Sequence, residues 1–439
     1  MAEKFAIKGG RKLKGEVEVR GAKNSALPIL AATMMTDKAC VVNNLPLIQD
    51  VFRMLEVLEQ MGAKVKWLGE RKVEVKCDEI EVDKIPFEAV AKFRGSVLIL
   101  GPLLARFGKV RVPAPGGCLI GARPLDTHLD AFFQLGVDFE TKEGLFSFEN
   151  KKKAQDSFET LEFFQRKQKE NDLREVILKE FSVTATENVL LFSSLSGKET
   201  LIKVADHDYQ VQELIEALRQ MGADVELKKC HAIEVQGQEE LKGFDYTIKS
   251  DPIETGTFVV ASLATQGSVV VKKAGLGFLD LFLKRLYDAG AKFEIVKEDQ
   301  LRVFPSPNLR IGKIQSLPYP GIHSDLQPEL GVLATQTQGS TLIHDPLYEG
   351  RLKYLEELNK MGADIIFCDP HRAIISGPTP LKGIETPSLD LRAGAALIIA
   401  GLVAEGETII NNIYQIDRGY EKIGERLQSL GADIKRVCS

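Results

Sequence analysis

Two similar α/β lobes, each assembled from three repeated subdomains, are the fold class this sequence predicts. Three observations predict it: a phrase that recurs six times, the spacing between its copies, and an ordinary globular composition. The phrase reads LEQMGAKV from Leu58, FQLGVDF from Phe133, LRQMGADVEL from Leu218, LYDAGAKFEI from Leu286, LNKMGADIIF from Leu358 and LQSLGADIK from Leu427. In each copy apolar residues three apart end an amphipathic helix, glycine supplies a left-handed C-cap, and an alternating apolar strand follows.

The phrase glycines stand at 62, 136, 222, 290, 362 and 431, so the intervals are 74, 86, 68, 72 and 69 residues. A unit of that length exceeds a solenoid repeat and suits a small subdomain of two helices and a few strands. Six such units, grouped three and three, make the two lobes, and loops facing each other across a cleft are the expected place for a site that closes on substrate. The chain's 439 residues suggest two or three domains. The long second interval marks an insertion over 149–180, charge-dense and without the phrase. It reads as an exposed loop or solvated helix, with a partner-docking element as the alternative.

Composition excludes several classes. Apolar residues are 44% and charged residues 27%, which is neither disordered nor fibrous. A net charge of −5 gives no global field that draws in nucleic acid or an acidic membrane, and no basic stripe interleaves with aromatics. The opening MAEKFAIKGGRKLKG lacks the apolar core of a signal peptide, and the apolar run around Ala400 is broken by charge before it reaches spanning length. Cysteines stand singly at 40, 77, 118, 230, 368 and 438, and with only six histidines no zinc-ligand spacing occurs. The expectation is a cytoplasmic protein without disulfides, metal or cofactor, binding neither nucleic acid nor membrane.

The chemistry-bearing residues sit in loops. Pro113, Pro115, Gly116 and Gly117 disfavour regular structure and present Cys118 beside Arg106 and Arg123. A thiol on such a turn, near cations, has a lowered pKa and suits a nucleophile or general acid; a small apolar filler is the alternative. In GAKNSALPIL, Lys23 and Asn24 lie between a strand-like stretch (Glu16 to Arg20) and a helix starting near Ser25. They form either an anion site at a helix N-terminus or a solvated lysine. Arg94, Arg351, Arg392 and Arg418 each lie near glycine or a helix start. They are either surface ion-pair partners or, with Lys23 and Arg123, clamps for phosphate and carboxylate. Asp325 in HSDLQ precedes a helix expected from Leu326, and local sequence favours a plain N-cap over a general base.

Together GAKNSALPIL, PGGCLIGARPLD, DPIETGTF, HSDLQ, DLRAGAAL and IDRGYE closely resemble the UDP-N-acetylglucosamine 1-carboxyvinyltransferase family. The resemblance runs from about Phe5 to Lys435 and weakens between about Thr141 and Glu180. It implies the inside-out α/β barrel of enolpyruvyl transferases, with one lobe over 23–250 carrying the Cys118 loop and the other combining 1–22 with 251–439. It implies transfer of the enolpyruvyl group of phosphoenolpyruvate to the 3′-hydroxyl of UDP-N-acetylglucosamine, with those two small molecules as partners. Carried over by residue, Cys118, Asp325, Lys23 and Arg392 are the catalytic set, and the base role replaces the cap at Asp325. Lys23, Asn24, Arg123 and Arg418 match the phosphoenolpyruvate contacts. Arg94, Arg123, Pro124, Leu125, Asp126, Thr127, Ser182, Val183, Asp325 and Leu347 match the UDP-sugar contacts, and Asp390 and Arg351 match the support for closure.

Three places depart from the family pattern. Glu180 stands where many members have lysine, Glu349-Gly350-Arg351 stands for ENR, and His207-Asp208-Tyr209-Gln210 stands for Arg-Glu-Pro-Glu. All lie on the nucleotide side or the lobe surface rather than on the phosphoenolpyruvate clamps, so weaker or altered nucleotide binding is expected before lost chemistry. The rival readings are the sister enzyme acting on shikimate 3-phosphate, whose pattern lacks the PGGC loop, and a non-catalytic paralogue that binds UDP-sugar.

Overall fold

The structure is a computed structural model that describes residues 3–114, 116, 125–150 and 173–438. The first copy of the phrase shows how a unit is made. Helix Gln49–Gln60 buries Val51, Met54, Leu55, Val57 and Leu58 along one stripe, and each fully buried leucine contributes about 2 kcal/mol. Gly62 then adopts φ +104°, and the Ala63 N–H returns to the Leu58 carbonyl at 2.9 Å, closing the left-handed cap. Strands Lys64–Gly69 and Lys72–Lys76 follow as an antiparallel hairpin. The strand before the helix, Ala39–Asn43, pairs antiparallel with the second hairpin strand. All six phrase glycines have positive φ, between +84° and +104°.

The same strand–helix–hairpin order begins again at Lys109–Pro113, Glu199–Lys203, Ser268–Lys272, Gly339–His344 and Glu407–Asn411. The sixth unit borrows its last strand from the start of the chain. Glu3–Lys8 pairs antiparallel with both Asp433–Cys438 and Glu407–Asn411. Lys14–Glu18 likewise adds a parallel strand to Ser268–Lys272. Among the described residues this gives five four-stranded sheets and one of three strands, Lys109–Pro113 with Leu145–Asn150 and Val137–Lys142. Of the expected insertion, Glu149 and Asn150 finish a strand and Arg174–Ile177 forms another, parallel to Glu199–Lys203; 151–172 lie outside the described residues.

The chain divides into two compact units. One comprises the chain up to Ala22 and from Ser250 onward; the other comprises the described residues between Lys23 and Lys249. In the first, helices Pro252–Ala264 and Gln327–Thr335 are buried at every residue, and Leu391–Val403 at eleven of thirteen. Helices buried on every face belong in a core, and these three pack on one another, with the few polar side chains they carry buried among them. Their starts are fixed by side chains: Asp251 accepts from the Ile253 and Glu254 N–H groups, Asp390 from those of Arg392 and Ala393. In the second unit Lys23–Ala32 and Val183–Ser194 are buried along nearly their whole length. Among the described residues, no helix is long and apolar enough to cross a membrane.

Candidate active site

Asp325 is the centre of the first unit's polar cluster. It lies in the 3-10 turn Ser324–Leu326, ahead of helix Gln327–Thr335, and 19% of its side chain is exposed. Its Oδ1 accepts from Arg351 Nη2 at 2.9 Å and its Oδ2 from Arg392 Nε at 3.0 Å. Both guanidinium side chains are only 2% exposed. Burial pushes the Asp325 carboxyl up, but Arg392, His323 and Arg351 outweigh it and hold the group well below the usual carboxylate range. The carboxylate is therefore ionised at neutral pH. The local cap reading fails here, because His323 Nδ1 takes the Asp325 N–H at 3.0 Å and both Asp325 oxygens face arginines.

Close packing holds the turn in place. Leu326 is 1% exposed, and a Cβ on Gly256 would stand 2.3 Å from its Cδ2, so DPIETGTF needs glycine where the turn crosses that helix. Ser324 Oγ accepts from Arg351 Nε at 3.0 Å and donates to Asp345 Oδ2 at 2.6 Å. Asp345 Oδ1 in turn accepts from the Leu347 N–H at 3.0 Å, which ties Leu347 to the same network while its side chain stays 39% exposed. Asp390 serves as the N-cap of the helix that carries Arg392, so its visible role is to start that helix. Arg418 is buried after the short helix Tyr414–Asp417, with Nη1 donating to Gln415 Oε1 at 3.0 Å. The surface ion-pair alternative is thereby corrected for Arg351, Arg392 and Arg418, since all three are buried. Arg392 lies in the first turn of a core helix, Arg351 opens the 3-10 turn Arg351–Lys353, and Arg418 follows a short helix, none of them on a solvated helical face.

The second unit holds two further groups. Lys23 is the first residue of helix Lys23–Ala32, two residues earlier than the expected start near Ser25, and Asn24 is the next. The solvated-lysine alternative does not hold either. Lys23 Nζ is 2.8 Å from Asp50 Oδ2, with side chains 10% and 3% exposed. Elsewhere in this unit, Leu125, Asp126 and Thr127 open helix Asp126–Gln134, and Ser182 caps the helix that Val183 begins. The structure brings these two helix starts together. Thr127 Oγ1 donates to Glu180 Oε1 at 3.0 Å, and His128 Nε2 lies 3.1 Å from Thr184 Oγ1. Arg94 is half-buried at the start of the 3-10 turn Arg94–Ile99. Cys118, Arg123 and Pro124 lie outside the described residues.

Sequence reasoning missed several partners. Asp50, Ser324, Asp345 and His128 carry no local signal beyond a polar residue at a helix or loop edge, and only their distances reveal them. Glu180 stood out as a departure, and its carboxylate contacts Thr127. At the His207–Gln210 departure, Asp208 caps helix Tyr209–Gln220, and Gln210 Nε2 donates to the buried Glu187 Oε1 at 3.2 Å. Burial pushes the Glu187 carboxyl well above the usual range. Cys40 and Cys77 are apolar filler; burial pushes their thiols up to about 12 and about 11.

Comparison with known proteins gives the family. The family model described as EPSP synthase (3-phosphoshikimate 1-carboxyvinyltransferase) matches residues 7–427. A curated relative, UDP-N-acetylglucosamine 1-carboxyvinyltransferase 2 of Carboxydothermus hydrogenoformans, is 39% identical over 437 residues, 99% of each chain. The chain belongs to the UDP-N-acetylglucosamine 1-carboxyvinyltransferase family. Two more relatives with that enzyme name, from Koribacter versatilis and Finegoldia magna, are each 37% identical, covering 99% of this chain and 96% and 99% of theirs. Among solved structures, the enolpyruvyl transferase NikO from Streptomyces tendae aligns with a TM-score of 0.85 at 24% identity, over 100% of this chain and 99% of its own. EPSP synthase from Acinetobacter baumannii aligns at 0.73 and 19% identity, over 99% and 100%. These two establish the enolpyruvyl transferase fold for this member of the family.

Proposed function

We propose that this chain transfers the enolpyruvyl group of phosphoenolpyruvate to the 3′-hydroxyl of UDP-N-acetylglucosamine and releases phosphate, the first committed step of peptidoglycan synthesis. The observation that carries the reading is the 39% identity with a transferase of that name along 99% of the chain. The reaction has two halves. The acceptor oxygen bonds to C2 of phosphoenolpyruvate while C3 gains a proton, giving a tetrahedral intermediate. C3 then loses a proton, the C2–O bond to phosphate breaks, and the vinyl group re-forms.

In this reading Asp325 takes the hydroxyl proton, while Cys118 delivers the C3 proton and is able to bond covalently to phosphoenolpyruvate. Lys23, Asn24, Arg123 and Arg418 bind phosphoenolpyruvate; Arg94, Arg123, Pro124, Leu125, Asp126, Thr127, Ser182, Val183, Asp325 and Leu347 bind the UDP-sugar. Arg392 and Arg351 fix Asp325, and Asp390 with Arg351 supports closure. The ionised state of Asp325 supports its part, because a base must start without its proton. The burial of Lys23, Arg392 and Arg418 supports theirs, since charges fixed in a water-poor setting stabilise an anionic intermediate without reorganising. Glu180 in a lysine position weakens the hold on the diphosphate. The enzyme works in the cytoplasm on small molecules.

The test is phosphate release from phosphoenolpyruvate, with UDP-N-acetylglucosamine or shikimate 3-phosphate as acceptor, beside Cys118→Ala. Release is expected with the UDP-sugar alone and lost in the mutant; release with shikimate 3-phosphate alone sinks the proposal. Fosfomycin, an epoxide-phosphonate that mimics phosphoenolpyruvate, is expected to alkylate Cys118. A label found elsewhere by mass spectrometry would remove Cys118 from its role.

A further inference from the structure

Four residues after Asp325, a second acid is buried in the same cluster. Glu329, on helix Gln327–Thr335, is 0% exposed. Its Oε1 accepts from the Tyr420 hydroxyl at 3.0 Å and from Thr257 Oγ1 at 3.2 Å, and the Tyr420 and Thr257 oxygens are 2.8 Å apart. The Tyr420 ring carries the Arg392 guanidinium over it, with Cζ 5.1 Å from the ring centroid. Arg392 bonds Asp325 through Nε alone. Among the described residues its Nη1 and Nη2, like Glu329 Oε2, are buried and have no hydrogen-bond partner.

The charges explain why an acid belongs there. Asp325 neutralises one of the two guanidinium groups that hold it. A substrate proton arriving on Asp325 leaves both cations without that anion in a buried setting, which opposes the transfer unless another negative charge is near. We propose that Glu329 is a positioning residue for the Asp325 centre: through Tyr420 and the Arg392 charge, its carboxylate supplies the negative charge that lets Asp325 take up a proton.

The groups that face it are these. Arg392 comes from Leu391–Val403, Asp325 from the preceding turn, Tyr420 and Thr257 by direct bonds, and the buried Tyr354 from helix Tyr354–Lys360. Asp251 also faces Arg392, while Asp345 and Asp390 face Arg351. Burial, opposed by Arg392, pushes the Glu329 carboxyl up to about 7, so the charge is present above neutrality and lost below it.

The inference rests on the proposed transferase reaction for its kinetic arm. In wild type, kcat is expected to fall as pH drops through about 7. In Glu329→Gln that limb disappears, and kcat on the alkaline side is about tenfold lower with both KM values nearly unchanged, tenfold being one pKa unit on the base. Wild-type kinetics retained in the variant would overturn the proposal. A second arm needs no turnover. Infrared difference spectra should show, beside the Glu213 carboxylic acid band that also titrates near neutrality, a second such band that is absent in Glu329→Gln. Because the coupling is reciprocal, Asp325→Asn should move that band's midpoint to lower pH. An unmoved midpoint overturns the proposal even if no acceptor supports catalysis, whereas an inactive wild type with a shifted midpoint overturns only the reaction.

Discussion

Each of the two units buries a glutamate whose carboxyl burial pushes up to about 7, and the two are kept in opposite ways. In the second unit, Glu213 Oε1 accepts from Ser25 Oγ at 2.9 Å and its Oε2 accepts from the Lys249 N–H at 2.9 Å. Both oxygens are satisfied, and the acid joins helix Tyr209–Gln220 to the helix that begins at Lys23. Glu329 has one oxygen with no partner and stands beside a guanidinium with two nitrogens likewise unpartnered among the described residues. A saturated buried acid organises structure. One left short of partners beside an unsatisfied cation is unfavourable on stability grounds alone, and such sites are where function is to be sought.

The sharpest way to test that contrast is at the anion Glu329 serves. Asp325→Asn is expected to lower kcat about a hundredfold to ten-thousandfold, the usual span for a lost general base. It also leaves Arg351 and Arg392 buried without their shared anion, which costs on the order of 3–5 kcal/mol. A denaturant melt beside the kinetics separates the two losses. A variant that lost stability but kept its rate would remove Asp325 from the chemistry.

Glu213 gives the next largest effect, and it is one of stability. Its folded pKa, about 7, lies above the ordinary 4.5, so the folded state holds a proton that the unfolded state releases between those values. The corresponding stability is fully present below about pH 4.5 and is lost as pH rises through 7, by roughly 3 kcal/mol at most. Glu213→Gln should remove its share of that slope and leave the share of Glu329, with little change in kcat, where Glu329→Gln changes kcat. If thermal melts of Glu213→Gln keep the wild-type slope between those pH values, the buried-acid account of Glu213 is wrong.

What could be read in the sequence follows the same division between local and distant causes. The glycine caps at 62, 136, 222, 290, 362 and 431 were legible because a helix end, a left-handed residue and the next strand are written within ten residues. Asp325, Arg351 and Arg392 were legible as motif residues, but their meeting was not, since it depends on three segments up to 67 residues apart. Local sequence even favoured Asp325 as a cap, because an acidic residue before a helix is the usual cap signal. His323 takes that place by offering a ring nitrogen two residues earlier. Glu329 and Asp50 gave no signal at all. An acid in the first turn of a helix is ordinary, and only burial beside a cation distinguishes these.

The repeat offers the smallest and cleanest comparison, two copies of one cap. At Gly222, φ +97°, a Cβ would meet nothing within 4 Å, whereas at Gly62, φ +104°, it would meet the Glu79 carbonyl oxygen at 2.3 Å. Gly222→Ala should therefore cost only the strain of a left-handed alanine, about 1 kcal/mol. Gly62→Ala adds a backbone clash that no flexible side chain relieves, so its loss should exceed that of Gly222→Ala by an amount a urea titration resolves. Each cap closes the end of its helix opposite to Asp50 and Gln210, and kcat should stay at the wild-type value in each. Equal losses at the two positions would mean that the backbone at Glu79, just past the hairpin, gives way to the new methyl group, and that the cap conformation alone sets the cost in both copies.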